Sequence, residues 1–362
     1  MEWTILSIAY PLSQVGPDSV GGSEQILTLL DGALTSQGHH SIVIAAEGST
    51  VTGTLVAAPA APRRLDDSVR NWGRRVHQQL IKETLERYHV DLVHMHSLDF
   101  HTYLPAAYVP VLATLHLPPD WYPPEVFQMA RPDFRMNCVS WSQHRACPPA
   151  PYLLDPIPNG VDVGRLAANL PKHNYALALG RICPEKTFHL ALDAARQSGT
   201  NLLLAGQVFP YDSHLEYFAK EIRPRLDKRR RFLGPVGFAR KKRLLAQARC
   251  LVIPSTVSET SSLVAMEALA CGTPVIASRS GALPEIVEHG RTGFIVNNVD
   301  EMAWALREVS AIDPEECRRV ARSRFSACAM SATYLNVYER MIQRHESKQQ
   351  EAQWTGQCVT TP

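Results

Sequence analysis

Residues 249–278 read RCLVIPSTVSETSSLVAMEALACGTPVIAS, and this stretch decides the fold. Two short apolar runs, RCLVIPS and TPVIAS, flank the helical segment LVAMEALA. Brief apolar runs bounded by turn residues read as buried strands, and a helix between two of them joins parallel strands. The same alternation extends outward in both directions. Upstream in the second half lie the strands NYALALG and TNLLLAG, separated by the helical patterns EKTFHLALDAARQ, SHLEYFAKEIRPRL and ARKKRLLAQA. The first half offers TILSIAY, SIVIAA, DLVHMH, VPVLATLHL and MNCVSW as strands. SEQILTLLDGALTSQ and SVRNWGRRVHQQLIKETLERYH are the helices between them. Continuous apolar strands alternating with helices predict an α/β protein whose parallel sheets are covered on both faces.

The 362 residues exceed one ordinary core and suit two domains. Residues 147–174, CPPAPYLLDPIPNGVDVGRLAANLPKHN, are proline-rich at their start and carry an Asn-Gly turn, which marks the connection. The expected domains are 1–160, together with a returning helix at about 326–345, and 161–325. Residues 346–362 are polar and patternless and are expected to be a disordered tail. A net charge of +2 argues against nucleic acid as a partner. No apolar run reaches the roughly 18 residues of a membrane span. TILSIAY follows Glu2 without a basic region ahead of it, so it reads as a strand and not as a leader. The eight cysteines form no CxxC pair, which with the missing leader predicts reduced thiols and a cytoplasmic location. No histidine pair shows zinc-type spacing with a third ligand nearby, so no metal site is expected.

GxGxxG, a Walker A loop and D-x-D are all absent, so a bound phosphate must be neutralised by protein cations or helix ends. GRICPEKTFHLAL supplies them: Arg181 at the C-terminal edge of a strand, and Lys186 near the start of the next helix. That pair suits a diphosphate, although an ordinary exposed Arg and Lys would look the same. Glu259 and Glu267 stand eight residues apart. Were both helical, a rise of about 1.5 Å per residue would separate them by roughly 12 Å. Carboxyls flanking one glycosidic bond lie about 5–9.5 Å apart, so these two suit the ends of an elongated ligand. SETSS sits at the helix start, leaving the backbone N–H groups of Ser261, Ser262 and Leu263 open to a phosphate. Glu267, set among apolar residues, requires partners, and ligand hydroxyls would serve.

In the first half, Gly21 and Gly22 open a helix after the first strand, a place for close backbone approach to an anion or simply a flexible loop. His116 ends one strand, and His94 and His96 share a face at the end of another, as site groups or as core histidines. Trp121 and Tyr122 can stack on an acceptor or plug their loop against the core. The basic run at 223–243 lacks interleaved aromatics and reads first as a solvated face, with peripheral membrane contact left open.

Taken in order, these motifs resemble family 4 retaining glycosyltransferases, which have the GT-B fold of two Rossmann-like domains facing across a cleft. Gly180, Arg181 and Lys186 match GR-x4-K, and Glu259 and Glu267 match E-x7-E. PNGVD, CGTPVIAS and GALPEIVEHGRTGFIV also match, and the likeness runs to about residue 341. The resemblance implies that Arg181 and Lys186 hold a donor diphosphate, Glu267 the ribose hydroxyls and Glu259 the donor sugar. It implies that the Gly21-Gly22 loop reaches the donor phosphate and that His116 lies near the sugar. Where the family shows E-x-F/A-G-L, this chain has Glu259-Thr260-Ser261-Ser262-Leu263, a departure that bears on which sugar is accepted. The expectation is a soluble enzyme moving a hexose from UDP-glucose to a hydroxyl of a small-molecule, lipid or glycan acceptor, with no cofactor. Its alternatives are an epimerase or phosphorylase of the same architecture, the latter needing a pyridoxal-phosphate lysine that nothing marks, or a non-catalytic nucleotide-sugar-binding subunit.

Overall fold

A computed structural model describes residues 2–19, 21–60, 66–106 and 108–357, with side chains to Glu351. The chain divides into two units, Met1–Val139 with His144–Ile157 and Met330–Pro362, and Ser140–Gln143 with Pro158–Ala329.

The first unit is built on seven strands: β1 (Thr4–Ile8), β2 (His40–Ala46), β3 (Thr54–Ala58), β4 (Leu92–Met95), β5 (Val111–Leu115), β6 (Phe134–Cys138) and β7 (Leu153–Leu154). They lie in the order β3-β2-β1-β4-β5-β6-β7, every pair parallel. Helices α1 (Gly22–Ser36) and α2 (Asp67–Arg87) are among the crossovers. The Asp66 carboxylate starts α2 by accepting from the N–H groups of Ser68 and Val69.

The second unit holds β8 (Ala176–Leu179), β9 (Leu202–Ala205), β10 (Arg230–Phe232), β11 (Cys250–Ile253), β12 (Val275–Ser278) and β13 (Gly293–Val296). Their order is β10-β9-β8-β11-β12-β13, again all parallel. Crossovers include α3 (Phe188–Gln197), α4 (Phe238–Gln247) and α5 (Leu263–Ala270). From Ala265 to Ala270 every residue of α5 is buried, as an all-round apolar helix requires. Strand order reverses between β8 and β11 here and between β1 and β4 in the first unit. In open α/β sheets such a switch point opens the crevice where ligands bind, beyond the strands' C-terminal ends.

The last helix, α6 (Ala327–Gln357), belongs mostly to the first unit. Its start is tied to the interdomain segment, with Val161 N–H donating to Phe325 O and Ala327 N–H to Val161 O. A Cβ at Gly160 would lie 2.7 Å from Ser326 O, so only glycine lets these two passages of chain run side by side. Tyr334 and Tyr338 then anchor α6 on the β4–β6 face: Tyr338 OH meets His94 Nδ1 at 2.7 Å, and Tyr334 OH meets Thr114 Oγ1 at 3.1 Å.

The polar stretch from Glu346, expected to be disordered, is instead helical to Gln357. Glu, Lys, Gln and Ala are strong helix formers, and they extend a helix already nucleated by packing. Cys358 and the remainder of that stretch lie outside the described residues. The seven described cysteines are free thiols, and among the described residues no helix is long and apolar enough to cross a membrane.

Candidate active site

Arg181 and Lys186 leave the end of β8, and Glu259 leaves the end of β11, so the second unit's switch point carries two cations and a carboxylate. Lys186 Nζ donates to Glu259 Oε1 at 2.5 Å; their side chains are 28% and 11% exposed. Arg181 is exposed. The turn that aims Lys186 is fastened to β11: Thr187 Oγ1 donates to Pro254 O at 2.6 Å, and Ser255 Oγ to Glu185 O at 3.3 Å. Thr187 has φ 42°, the one described residue other than glycine with positive φ. A β-branched residue in the left-handed region is strained by about 1–3 kcal/mol, and such strain gathers at functional sites.

A second loop fixes Glu259. Ala282 N–H donates to Glu259 O at 2.7 Å, and a Cβ at Gly281, whose φ is 51°, would lie 2.2 Å from that same oxygen. The GALPEIV stretch thus acts as a backbone support for the loop carrying Glu259. Glu267 lies one helix further on, only 6% exposed, with Lys241 Nζ 2.5 Å from its Oε1. Burial pushes the Glu267 carboxyl above its ordinary range, and Lys241 opposes that shift. Glu259 is in a loop and not on the helix, so the roughly 12 Å spacing of a fully helical pair does not apply.

Lys241 is the residue missed in reading the sequence. It falls within the basic run taken for a solvated face, yet Glu267 takes it inward from α4, and Arg225 and Arg230 of the same run pair with Asp193, Glu221 and Asp227. The signal was present: a carboxylate in an apolar helix demands a cation, and α4 is the helix preceding β11.

At the start of α5, Ser262 is the N-cap, and its own side chain does not cap the helix. Ser261 Oγ is buried without a hydrogen-bond partner. The first-turn N–H groups therefore remain available to an anion.

In the first unit, Gly21 is the N-cap of α1 and Gly22 its first residue. The Glu24 carboxylate folds back so closely that a Cβ at Gly21 would lie 1.9 Å from its Oε2. His116 follows β5 directly, and its Nε2 lies 3.1 Å from His96 Nδ1. His94 is a core residue, held between Tyr338 OH and Thr114 Oγ1. Burial depresses all three imidazoles, His116 to about 4, so each is neutral near pH 7. Of the possible acceptor contacts, Trp121 is exposed, but His96 and Tyr122 are buried. Tyr122 plugs the core because its hydroxyl can accept from Leu117 N–H while its ring packs inside. A polar cluster not anticipated lies by the β1/β4 switch point, where Arg74 Nε and Tyr103 OH both donate to Asp99 at 2.8 Å, with Tyr10 nearby.

Comparison with known proteins places these units. Residues 20–148 match the family model described as Glycosyltransferase Family 4, and residues 173–311 the one described as Glycosyl transferases group 1. Over 127 residues the chain is 41% identical to a D-inositol 3-phosphate glycosyltransferase of Streptomyces avermitilis, covering 33% of this chain and 27% of that one. Over 178 residues it is 35% identical to a glycogen synthase of Mycobacterium tuberculosis, covering 46% and 42%. The chain thus aligns with less than half the length of these curated relatives. In structure it is similar to a sucrose-phosphate synthase from Thermosynechococcus elongatus, with TM-score 0.77, 19% identity and coverage of 95% and 100%. It is also similar to Anabaena HepE in complex with UDP-glucose, with TM-score 0.73, 19% identity and coverage of 93% and 99%. At these identities the structures show the fold, which is GT-B.

Proposed function

For a chain that belongs to family 4 of the GT-B glycosyltransferases, we propose a retaining enzyme that moves a hexose from a uridine-diphosphate sugar, UDP-glucose first, to an acceptor hydroxyl. The observation carrying this is the switch point of the second unit. Arg181 and Lys186 leave one strand end, Glu259 leaves its neighbour, and a helix N-terminus follows. Two cations and open N–H groups hold a diphosphate and stabilise it as it leaves. Glu259, released from Lys186 when the phosphates take that lysine, accepts hydroxyls of the sugar. Glu267, paired with Lys241, accepts those of the ribose. Membership of family 4 implies that the acceptor oxygen attacks the face the diphosphate leaves, with a phosphate oxygen taking its proton. The solved relative that carries UDP-glucose supports this donor.

The protein supplies charge stabilisation and positioning, so transfer proceeds in EDTA. Incubation with UDP-glucose and a panel of small-molecule, lipid and glycan acceptors, read by mass spectrometry and anomeric NMR, tests the reading. An α-linked product and free UDP are expected. An epimerised sugar from donor alone points to an epimerase, and UDP binding without transfer to any acceptor points to a binding subunit. Turnover lost in EDTA and restored by magnesium or manganese contradicts the assignment of the diphosphate to Arg181 and Lys186.

A further inference from the structure

We propose that Cys183, Glu185 and His214 form a binding site for a transition-metal ion of the zinc class. One ligand atom from each lies within 4.8 Å of the other two. A tetrahedral ion with bonds of about 2.0–2.3 Å draws three such atoms to within about 4 Å of one another, which small side-chain rotations achieve here. His214 is 8% exposed, and its Nδ1 is buried with no hydrogen-bond partner. Buried polar atoms are nearly always partnered, and an ion that the structure does not contain is one of the few reasons for an orphan.

Local structure prepares the site. Cys183 and Glu185 flank Pro184 on a tight turn closed by Lys186 N–H donating to Cys183 O at 3.2 Å. Ser255 also holds this turn, through Glu185 O. His214 comes from the helix Asp212–Tyr217, its ring set edge-on against Tyr211, with centroids 5.1 Å apart. Cys183 is fully buried whereas Glu185 is exposed, so the carboxylate side is the ion's way in. The ion takes the imidazole as a neutral ligand and the thiol as a thiolate, whose proton passes to solvent on binding. Thiolate, imidazole and carboxylate together select zinc, or cobalt as its probe, over magnesium and calcium. Three protein ligands leave the fourth position to water or an anion. Two negative ligands offset the repulsion from the neighbouring Arg181 guanidinium.

The test uses the full chain stripped with EDTA and titrated with cobalt(II), and it does not depend on sugar transfer. One equivalent is expected to produce thiolate-to-cobalt charge transfer and tetrahedral d–d absorption, both bleached by zinc. Cys183→Ser abolishes the charge-transfer band. His214→Gln and Glu185→Gln weaken cobalt binding by at least the roughly tenfold to hundredfold that changes outside the ligand shell produce. Glu185 is exposed, so its variant stays folded even if the two buried positions do not tolerate change. No saturable band in the wild type, a band that survives in Cys183→Ser, or unchanged affinity in Glu185→Gln overturns the proposal.

Discussion

Glu259 and Glu267 each hold a lysine at 2.5 Å, and in the proposed function the first takes the donor sugar and the second the ribose. Glu267→Ala is expected to weaken binding of free UDP about tenfold to hundredfold, the loss of one charged hydrogen bond. Glu259→Ala is expected to leave UDP affinity nearly unchanged while depressing kcat, because it meets the sugar where charge develops. Calorimetry with UDP beside steady-state kinetics separates them; the opposite pattern reverses the ligand's direction along the site. Lys241 makes a further prediction. Burial raises the Glu267 carboxyl and Lys241 opposes it, so Lys241→Ala raises it further and leaves more of it protonated. UDP affinity of that variant should climb more steeply as pH is raised than that of the wild type does. A flat variant profile removes Lys241 from the site. The two glutamates were legible in the sequence because their spacing is local. Lys241 was not, since it lies 26 positions from Glu267 and only the packing of α4 against α5 joins them.

At the scale of elements, loops set the geometry and strands carry it. Gly281→Ala must move either its own φ of 51° or the Glu259 backbone 2.2 Å from its new Cβ. It is expected to destabilise the protein by on the order of 2 kcal/mol and to lower kcat more than UDP affinity. Wild-type Tm and kcat would show that the loop gives way freely. In the first unit, the ends of β4 and β5 bring together His96 and His116. Burial lowers His116 from 6.5 to about 4, so the unfolded chain binds the extra proton first. Stability is then full above about pH 6.5 and is lost as pH falls toward 4. Thermal melts across that window should show His116→Gln with a shallower loss than wild type, and identical slopes would contradict the depressed imidazole. Strand ends with histidines were visible in TLHL and HMHS. That Tyr122 faces inward and Trp121 outward was not, since adjacent aromatics in a loop have no period to sort them.

Across the whole molecule, two parallel sheets followed directly from continuous apolar strands such as CLVI and VIAS, which only a doubly covered sheet can bury. The four edge strands β3, β7, β10 and β13 are absent from the sequence reading: β7 has two residues and Arg230–Phe232 reads as charge before strand, whereas TLVAA and GFIV are apolar runs whose short length, beside glycine and proline, reads as loop. The grouping of Cys183, Glu185 and His214 is another product of folding, since His214 lies 29 residues beyond Glu185 and no motif spacing announces it. Both sheets place ionisable side chains at their switch points, and in the proposed function the second of these holds a nucleotide-sugar diphosphate without a metal. Calorimetric titration of UDP in EDTA, on the wild type and on Arg181→Ala and Lys186→Ala, tests it most directly. One site per chain is expected in the wild type, with affinity falling at least about tenfold in each variant that remains folded. Wild-type affinity in both folded variants, or binding that appears only when magnesium is added, contradicts it.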